Sequence, residues 1–479
     1  MTGARSITLP LCRILLTMLM LRTASVGTGA APAPEFALRN GLRVVIRERH
    51  EAPLVAIELW VRAGSREEAP GETGAAHFLE HTLFKGTRTR LAGEADMAIE
   101  NLGATLSAAT GPDYARFYTC VGVEHTADAL NVLADIVRNA TLPAEEIERE
   151  RKVILTELAQ RDSDSTSLLI ERLYRTVYAD HPYGRPPGGI QTDIRYRTRE
   201  TLAAFYRRTY TPARCTLVLV GDLTDARAHI IAERSFGDWT GEAATTEMPL
   251  DNSRKPARNG VDGSAAGDNG GSRAGAVDKP TVVNAAIVRP VAGIAFRAPA
   301  ASDVANACAA QLVAAMLGQS DLGGRLATAR LSGCEARASF APRRDPGLFI
   351  VSSAAQAVSA GHIRTRDEAS AAAFAQNQSM LAVLDGLAAT PPTTGELAAA
   401  KSALLGRAIF ENETNAGLAS SVGASAITGG PPPEAWRAAI EGATLQDVRR
   451  FITRWLDPSN RVDLVLLPGP PARPPDSRP

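Results

Sequence analysis

The 479 residues contain only five cysteines, and none stands in a CxxC pair. Cys12, Cys120, Cys215, Cys308 and Cys334 are scattered, and Cys120 and Cys215 sit within apolar, strand-like runs. This argues against a disulfide framework and against a cysteine-ligated zinc. Excess charge of one sign is lacking too, because 52 Lys+Arg balance 52 Asp+Glu. A nucleic-acid binder usually needs a basic excess, so that class is disfavoured. No apolar run reaches the ~20 residues of a bilayer-spanning helix. The 45 % apolar and 22 % charged residues are an ordinary globular composition, which excludes disorder of the whole chain.

Acidic residues are absent before Glu35. Arg5 and Arg13 precede the largely apolar run 14–21, and small residues follow over 24–33. That order predicts a secretory signal peptide over 1–31, cut near Ala30 or Ala31, and a secreted or periplasmic location. Arg5, Arg13 and Arg22 without acids also fit a mitochondrial transit peptide, so the mitochondrial matrix stands as the alternative.

Large apolar residues nearly vanish over 252–279, where Gly, Ser, Asn and Asp dominate. Such a stretch buries too little surface to offset its ordering entropy, so 251–282 reads as a flexible linker. Six prolines mark 468–479 as an extended tail. The flanking halves, 32–250 and 283–467, echo each other. Thr198, Phe205 and Pro212 keep the spacing of Thr444, Phe451 and Pro458, and the strand-like runs 216–220 and 463–467 follow them. Each block reads as a capped helix, a proline stop and a buried strand. Segments 145–158 and 396–409 form a second echo. Internal duplication follows, and with it an α+β fold of two homologous halves. Residues 42–46 and 54–61 read as paired strands after the Asn40-Gly41 turn, and 127–139 as a helix.

The chemistry-bearing stretch is His77-Phe-Leu-Glu80-His81, an HxxEH pattern. On a helix, His77 and His81 lie four apart and Glu80 shares their face. Two imidazoles on one face can hold one zinc with a carboxylate beside the open position, as in the inverted zincin pattern. A hydrolytic zinc needs a third protein ligand and a water. Glu150 and Glu157, seven apart in a strongly helical run, lie on one face. Glu157 is a candidate third ligand, and Glu150 a candidate partner for a histidine.

These residues resemble the M16 (pitrilysin-type, inverzincin) metallopeptidase family, in its small bacterial and mitochondrial class. The motif continues as His77-Phe-Leu-Glu80-His81-Thr-Leu-Phe-Lys-Gly-Thr87, and Glu150-Arg-Lys-Val-Ile-Leu-Thr-Glu157 fits the family's ERxVILxE run. Further matches are His181-Pro-Tyr-Gly-Arg-Pro186, residues 205–212 with Gly221-Asp222, and residues 344–349. The resemblance implies two halves facing each other around a cleft. It also implies one Zn2+ per chain held by His77, His81 and Glu157, with Glu150 behind a histidine. Glu80 would be the catalytic general base on an activated water, and the activity that of a zinc metalloendopeptidase. Substrate would add as a strand beside Ser107, Ala108 and Ala109, where Ser107 replaces the family's usual Asn.

In the second half the family presents an Arg and, seven residues later, a Tyr. Arg330 is the candidate Arg, and no Tyr stands at the matching place. The missing donor favours a homologous partner subunit, in a heterodimer or homodimer. The alternatives are a non-catalytic scaffold subunit and a mitochondrial presequence-processing subunit.

Overall fold

The computed structural model describes residues 35–241, 280–318, 324–328, 334–355 and 365–469. The expected signal peptide, nearly all of the expected linker and most of the tail lie outside the described residues.

The first half builds one sheet. β1 (Glu35–Ala37) and β2 (Arg43–Glu48) form a hairpin through Asn40-Gly41. Gly41 takes a positive φ of 90°, and the Asn40 side chain accepts from Leu42 N–H at 3.1 Å. β3 (Leu54–Val61), β4 (Ser107–Thr110), β5 (Ala115–Gly122) and β6 (Cys215–Gly221) complete the order β1-β2-β6-β3-β5-β4. All of β6 is buried, as a central strand covered on both faces requires. It runs parallel to β2 and antiparallel to β3. The expected direct pairing of 42–46 with 54–61 is therefore corrected. A local turn signal cannot anticipate a distant apolar strand that needs a neighbour on each edge.

The second half repeats this plan with β7 (Thr281–Ala285), β8 (Val291–Arg297), β9 (Cys334–Phe340), β10 (Leu348–Ala355) and β11 (Arg461–Pro468). The order is β7-β11-β8-β10-β9. β11 is parallel to β7 and antiparallel to β8, as β6 is to β2 and β3. The helices before β6 and β11, Arg199–Thr209 and Leu445–Trp455, are capped by Thr198 and Thr444. The architecture is α+β in two similar halves. Among the described residues, no helix is long and apolar enough to cross a membrane.

One face of each sheet packs on helices of its own half. Phe78, Leu79, Ile154, Phe205 and Phe236 join the first core; Leu312, Met380 and Phe451 join the second. The opposite faces are covered by exchange. Leu168, Leu169 and Leu173 of the Ser165–Val177 helix cover Val291, Ala295 and Leu464 of the second sheet. Ala419, Val422 and Ile427 of the Asn415–Thr428 helix cover Val45, Trp60 and Val218 of the first. Each buried Leu, Val or Ile contributes roughly 1.5–3 kcal/mol, so parting the halves would expose two apolar faces at once. A polar clasp adds to this. Arg66 Nε donates to Asp345 Oδ2 at 2.6 Å, and Asp345 N–H donates to Tyr183 Oη at 3.0 Å. Asp113 accepts from Arg344 N–H at 3.2 Å.

Candidate metal centre

The Ala75–Leu83 helix carries the HxxEH residues. Phe78, Leu79, Thr82 and Leu83 are buried, which turns His77, Glu80 and His81 to the opposite face. Gly74 precedes the helix with φ +90°, and a Cβ there would meet Gly189 Cα at 2.8 Å. The helix start is held from outside. Ala76 N–H donates to Glu68 at 3.0 Å, and Gly74 N–H also faces that carboxylate. Arg197 donates to the carbonyls of Gly71 (3.0 Å) and Thr73 (3.1 Å), and Arg185 to that of Glu68. Burial pushes the Glu68 carboxyl up to about 8, against the pull of those N–H groups and of Arg185 and Arg197. Nothing in the local pattern marked Glu68, because its partners come from three separate segments.

The Ala144–Arg161 helix lies against this helix and brings both expected carboxylates to it. Glu157 Oε2 is 3.7 Å from His77 Nε2 and 3.4 Å from His81 Nε2. One ligand atom from each of His77, His81 and Glu157 falls within a 4.8 Å cluster. His81 Nδ1 bonds Glu150 Oε2 at 3.0 Å, and Lys85 Nζ approaches the other Glu150 oxygen at 3.0 Å. Burial alone would raise the Glu150 carboxyl; the His81 and Lys85 contacts outweigh it and hold it below the usual range. A carboxylate on Nδ1 leaves His81 Nε2 with its lone pair toward Glu157. Burial, and then the neighbouring His81, lowers the His77 pKa, which favours the neutral form that a metal needs. His77 Nδ1 is buried without a well-aligned hydrogen bond, although the Gly188 backbone lies beside it.

This donor set fits zinc. Two imidazoles and one carboxylate bring their ligand atoms within 4.8 Å of one another, with a second carboxylate fixing one ring. Glu80 is half-buried on the same face and makes no hydrogen bond or ion pair among the described residues. Tyr210 nearby is buried, its hydroxyl without a partner. Burial first, and the Glu80 charge second, push that phenol well above its ordinary value.

Ser107, Ala108 and Ala109 lie on β4, paired with Tyr118, Phe117 and Arg116 of β5 on one side only. β4 is the last strand of its sheet, so its other backbone edge is open. A cavity of about 470 Å³ runs from His77 and Glu157 past Thr110 at the end of β4. Arg161, Arg185 and Arg343 also line it, and Arg343 comes from the second half. The sequence analysis missed Arg343, which precedes the family-like run 344–349. Arg330 lies outside the described residues. Arg325 is committed elsewhere, in a two-pronged pair with Glu396 at 2.6 and 3.0 Å.

The family model described as Insulinase (Peptidase family M16) matches residues 43–189. The one described as Peptidase M16 inactive domain matches 197–404, and together they cover well over half of the chain. A protein named as an uncharacterized zinc protease from Mycobacterium tuberculosis is 35 % identical over 219 residues, 46 % of this chain and 50 % of that protein. A probable mitochondrial-processing peptidase subunit beta from Schizosaccharomyces pombe is 34 % identical over 230 residues, 48 % of this chain and 50 % of that protein. The chain thus spans about half the length of the curated relatives it matches. A protease from Helicobacter pylori superposes with a TM-score of 0.77 at 20 % identity, over 91 % of this chain and 99 % of that one. The first half of the periplasmic protease PqqL from Escherichia coli gives 0.65 at 18 %, over 91 % and 92 %. At such identities these structures show a shared fold. With two matching family models, zinc-protease relatives and the same two-part architecture, the chain belongs to peptidase family M16.

Proposed function

We propose that this chain is a zinc-dependent endopeptidase acting on peptides or unfolded segments. The observation that carries this reading is the convergence of His77, His81 and Glu157, with Glu150 on His81 and Glu80 free on the same face. One Zn2+ per chain would be held by those three residues. Zinc supplies Lewis acidity that makes water acidic near neutral pH and polarises a carbonyl. Glu80 takes the proton from water and passes it to the leaving amine. Glu150 keeps His81 in the tautomer that presents Nε2. The open edge of β4 accepts an extended peptide by main-chain pairing.

We also infer export under the direction of residues 1–31, and a homologous partner subunit. No Tyr stands between Leu326 and Phe340 to aid Arg330, so a second chain would complete the site. The test is cleavage of a mixed peptide library by the purified mature chain, alone and with candidate homologous subunits. The Glu80→Gln chain should keep its zinc and lose about 10²–10⁴-fold in rate. Equal cleavage by both chains would overturn the role of Glu80. Bound zinc without cleavage, alone or with every partner, would favour the scaffold alternative.

A further inference from the structure

The cavity beside the metal centre holds three arginines, and they are not equivalent. Arg161 pairs with Glu171 at 3.3 Å. Arg185 is spent on the Glu68 carbonyl. Arg343 has no carboxylate within ion-pair distance among the described residues. Its guanidinium lies 4.2 Å from the Tyr174 ring centroid and 5.1 Å from that of Tyr183. The nearby carboxylates are engaged elsewhere: Asp113 by Tyr183 Oη and Arg344 N–H, and Asp345 by Arg66.

The segment carrying Arg343 is held firmly. Tyr178 Oη donates to the Gly347 carbonyl at 2.8 Å, and Asp345 N–H donates to Tyr183 Oη at 3.0 Å. Two aromatic faces and these bonds fix the guanidinium before any ligand arrives, which lowers the ordering cost of binding. A half-buried cation with no carboxylate in ion-pair contact among the described residues, though its charge reaches Asp113, sits in a cavity that also opens on His77 and Glu157 and is set up for an anionic group.

We propose that Arg343 binds a carboxylate of the peptide substrate and so gives this chain a preference for acidic residues, or a free C-terminus, near the cleaved bond. This rests on the peptidase reading above and names the substrate class of the same site. The second half thereby contributes to substrate choice as well as to closing the cleft.

Binding should be read first, on the zinc-loaded Glu80→Gln full chain, so that no turnover is needed. The probes are fluorescent peptides of one sequence with Glu, Gln or Lys scanned through each position, each made with a free and an amidated C-terminus. A charge-assisted bond should favour Glu over Gln about tenfold or more at one position, and salt should erode that ratio. If the C-terminus is the bound group, amidation causes the loss instead. In Arg343→Gln the ratio should fall to near one, and in Arg343→Lys it should partly return. A merely structural role would weaken all peptides alike and leave the ratio standing. No ratio above two at any position and no effect of amidation, or a ratio unchanged in Arg343→Gln, would overturn the proposal. Cleavage of the same peptides by the unsubstituted chain is scored separately. Its absence counts against the peptidase reading, whereas cleavage indifferent to charge counts against Arg343.

Discussion

Replacing Gly423 by alanine tests the exchanged packing of the two halves. An added methyl inside a helix ordinarily stabilises it by roughly 0.5–1 kcal/mol, because glycine loses more backbone entropy on folding. Gly423 lies inside the Asn415–Thr428 helix, but a Cβ there would sit 1.9 Å from Trp60 Nε1 and 2.3 Å from Cε2. Trp60 is 2 % exposed and donates to Glu58 Oε2 at 2.8 Å, so it has no room to retreat. Overpacking of this kind costs about 1–3 kcal/mol, and displacing the bond to Glu58 about 0.5–1.5 more. After subtracting the helix gain, Gly423→Ala should destabilise by about 0.5–4 kcal/mol. Gly406 is the control, since it sits inside the Thr394–Glu411 helix with no heavy atom within 4 Å of its Cβ position. Gly406→Ala should stabilise by roughly 0.5–1 kcal/mol. Urea unfolding followed by tryptophan fluorescence compares the two variants. If Gly423→Ala is as stable as the unsubstituted chain, this helix does not lie on β3 as described.

Two further outcomes follow from buried acids. Glu150→Gln should weaken zinc binding about 10–100-fold in competition with a chelator, because His81 loses its charged partner; unchanged affinity would remove Glu150 from the site. Burial raises Glu58 to about 7 against the pull of Arg116 and Trp60, so the folded chain holds a proton that the unfolded chain releases near pH 4.5. Its destabilising effect therefore grows as pH rises from about 4.5 to 7, and Glu58→Gln should gain roughly 1–3 kcal/mol at pH 8 and little at pH 4.5. A gain independent of pH would refute that assignment.

Local chemistry made part of this protein readable in advance. The threonine caps at 198 and 444, the Asn40-Gly41 turn and the apolar runs of β6 and β11 act over a few residues, and they appear as read. The HxxEH spacing placed His77, Glu80 and His81 on one face by helical geometry alone, and the seven-residue step from Glu150 to Glu157 did the same on a second helix. Spacing could nominate Glu157 but could not bring it to the histidines; only the packing of the two helices did so. The insertion of β6 between β2 and β3 was equally hidden, because strand order depends on which buried faces find neighbours.

The sequence by itself determined the family-like motif, the repeated halves and the residues able to hold a metal, since these depend on residue type and short spacing. The tertiary structure alone decided the exchange of helices between the halves, the hold of Glu68 on the HxxEH helix and the arrival of Arg343 at the cavity. Each joins segments far apart in the chain, and such contacts are set by burial and charge pairing across the whole fold, which no local pattern records.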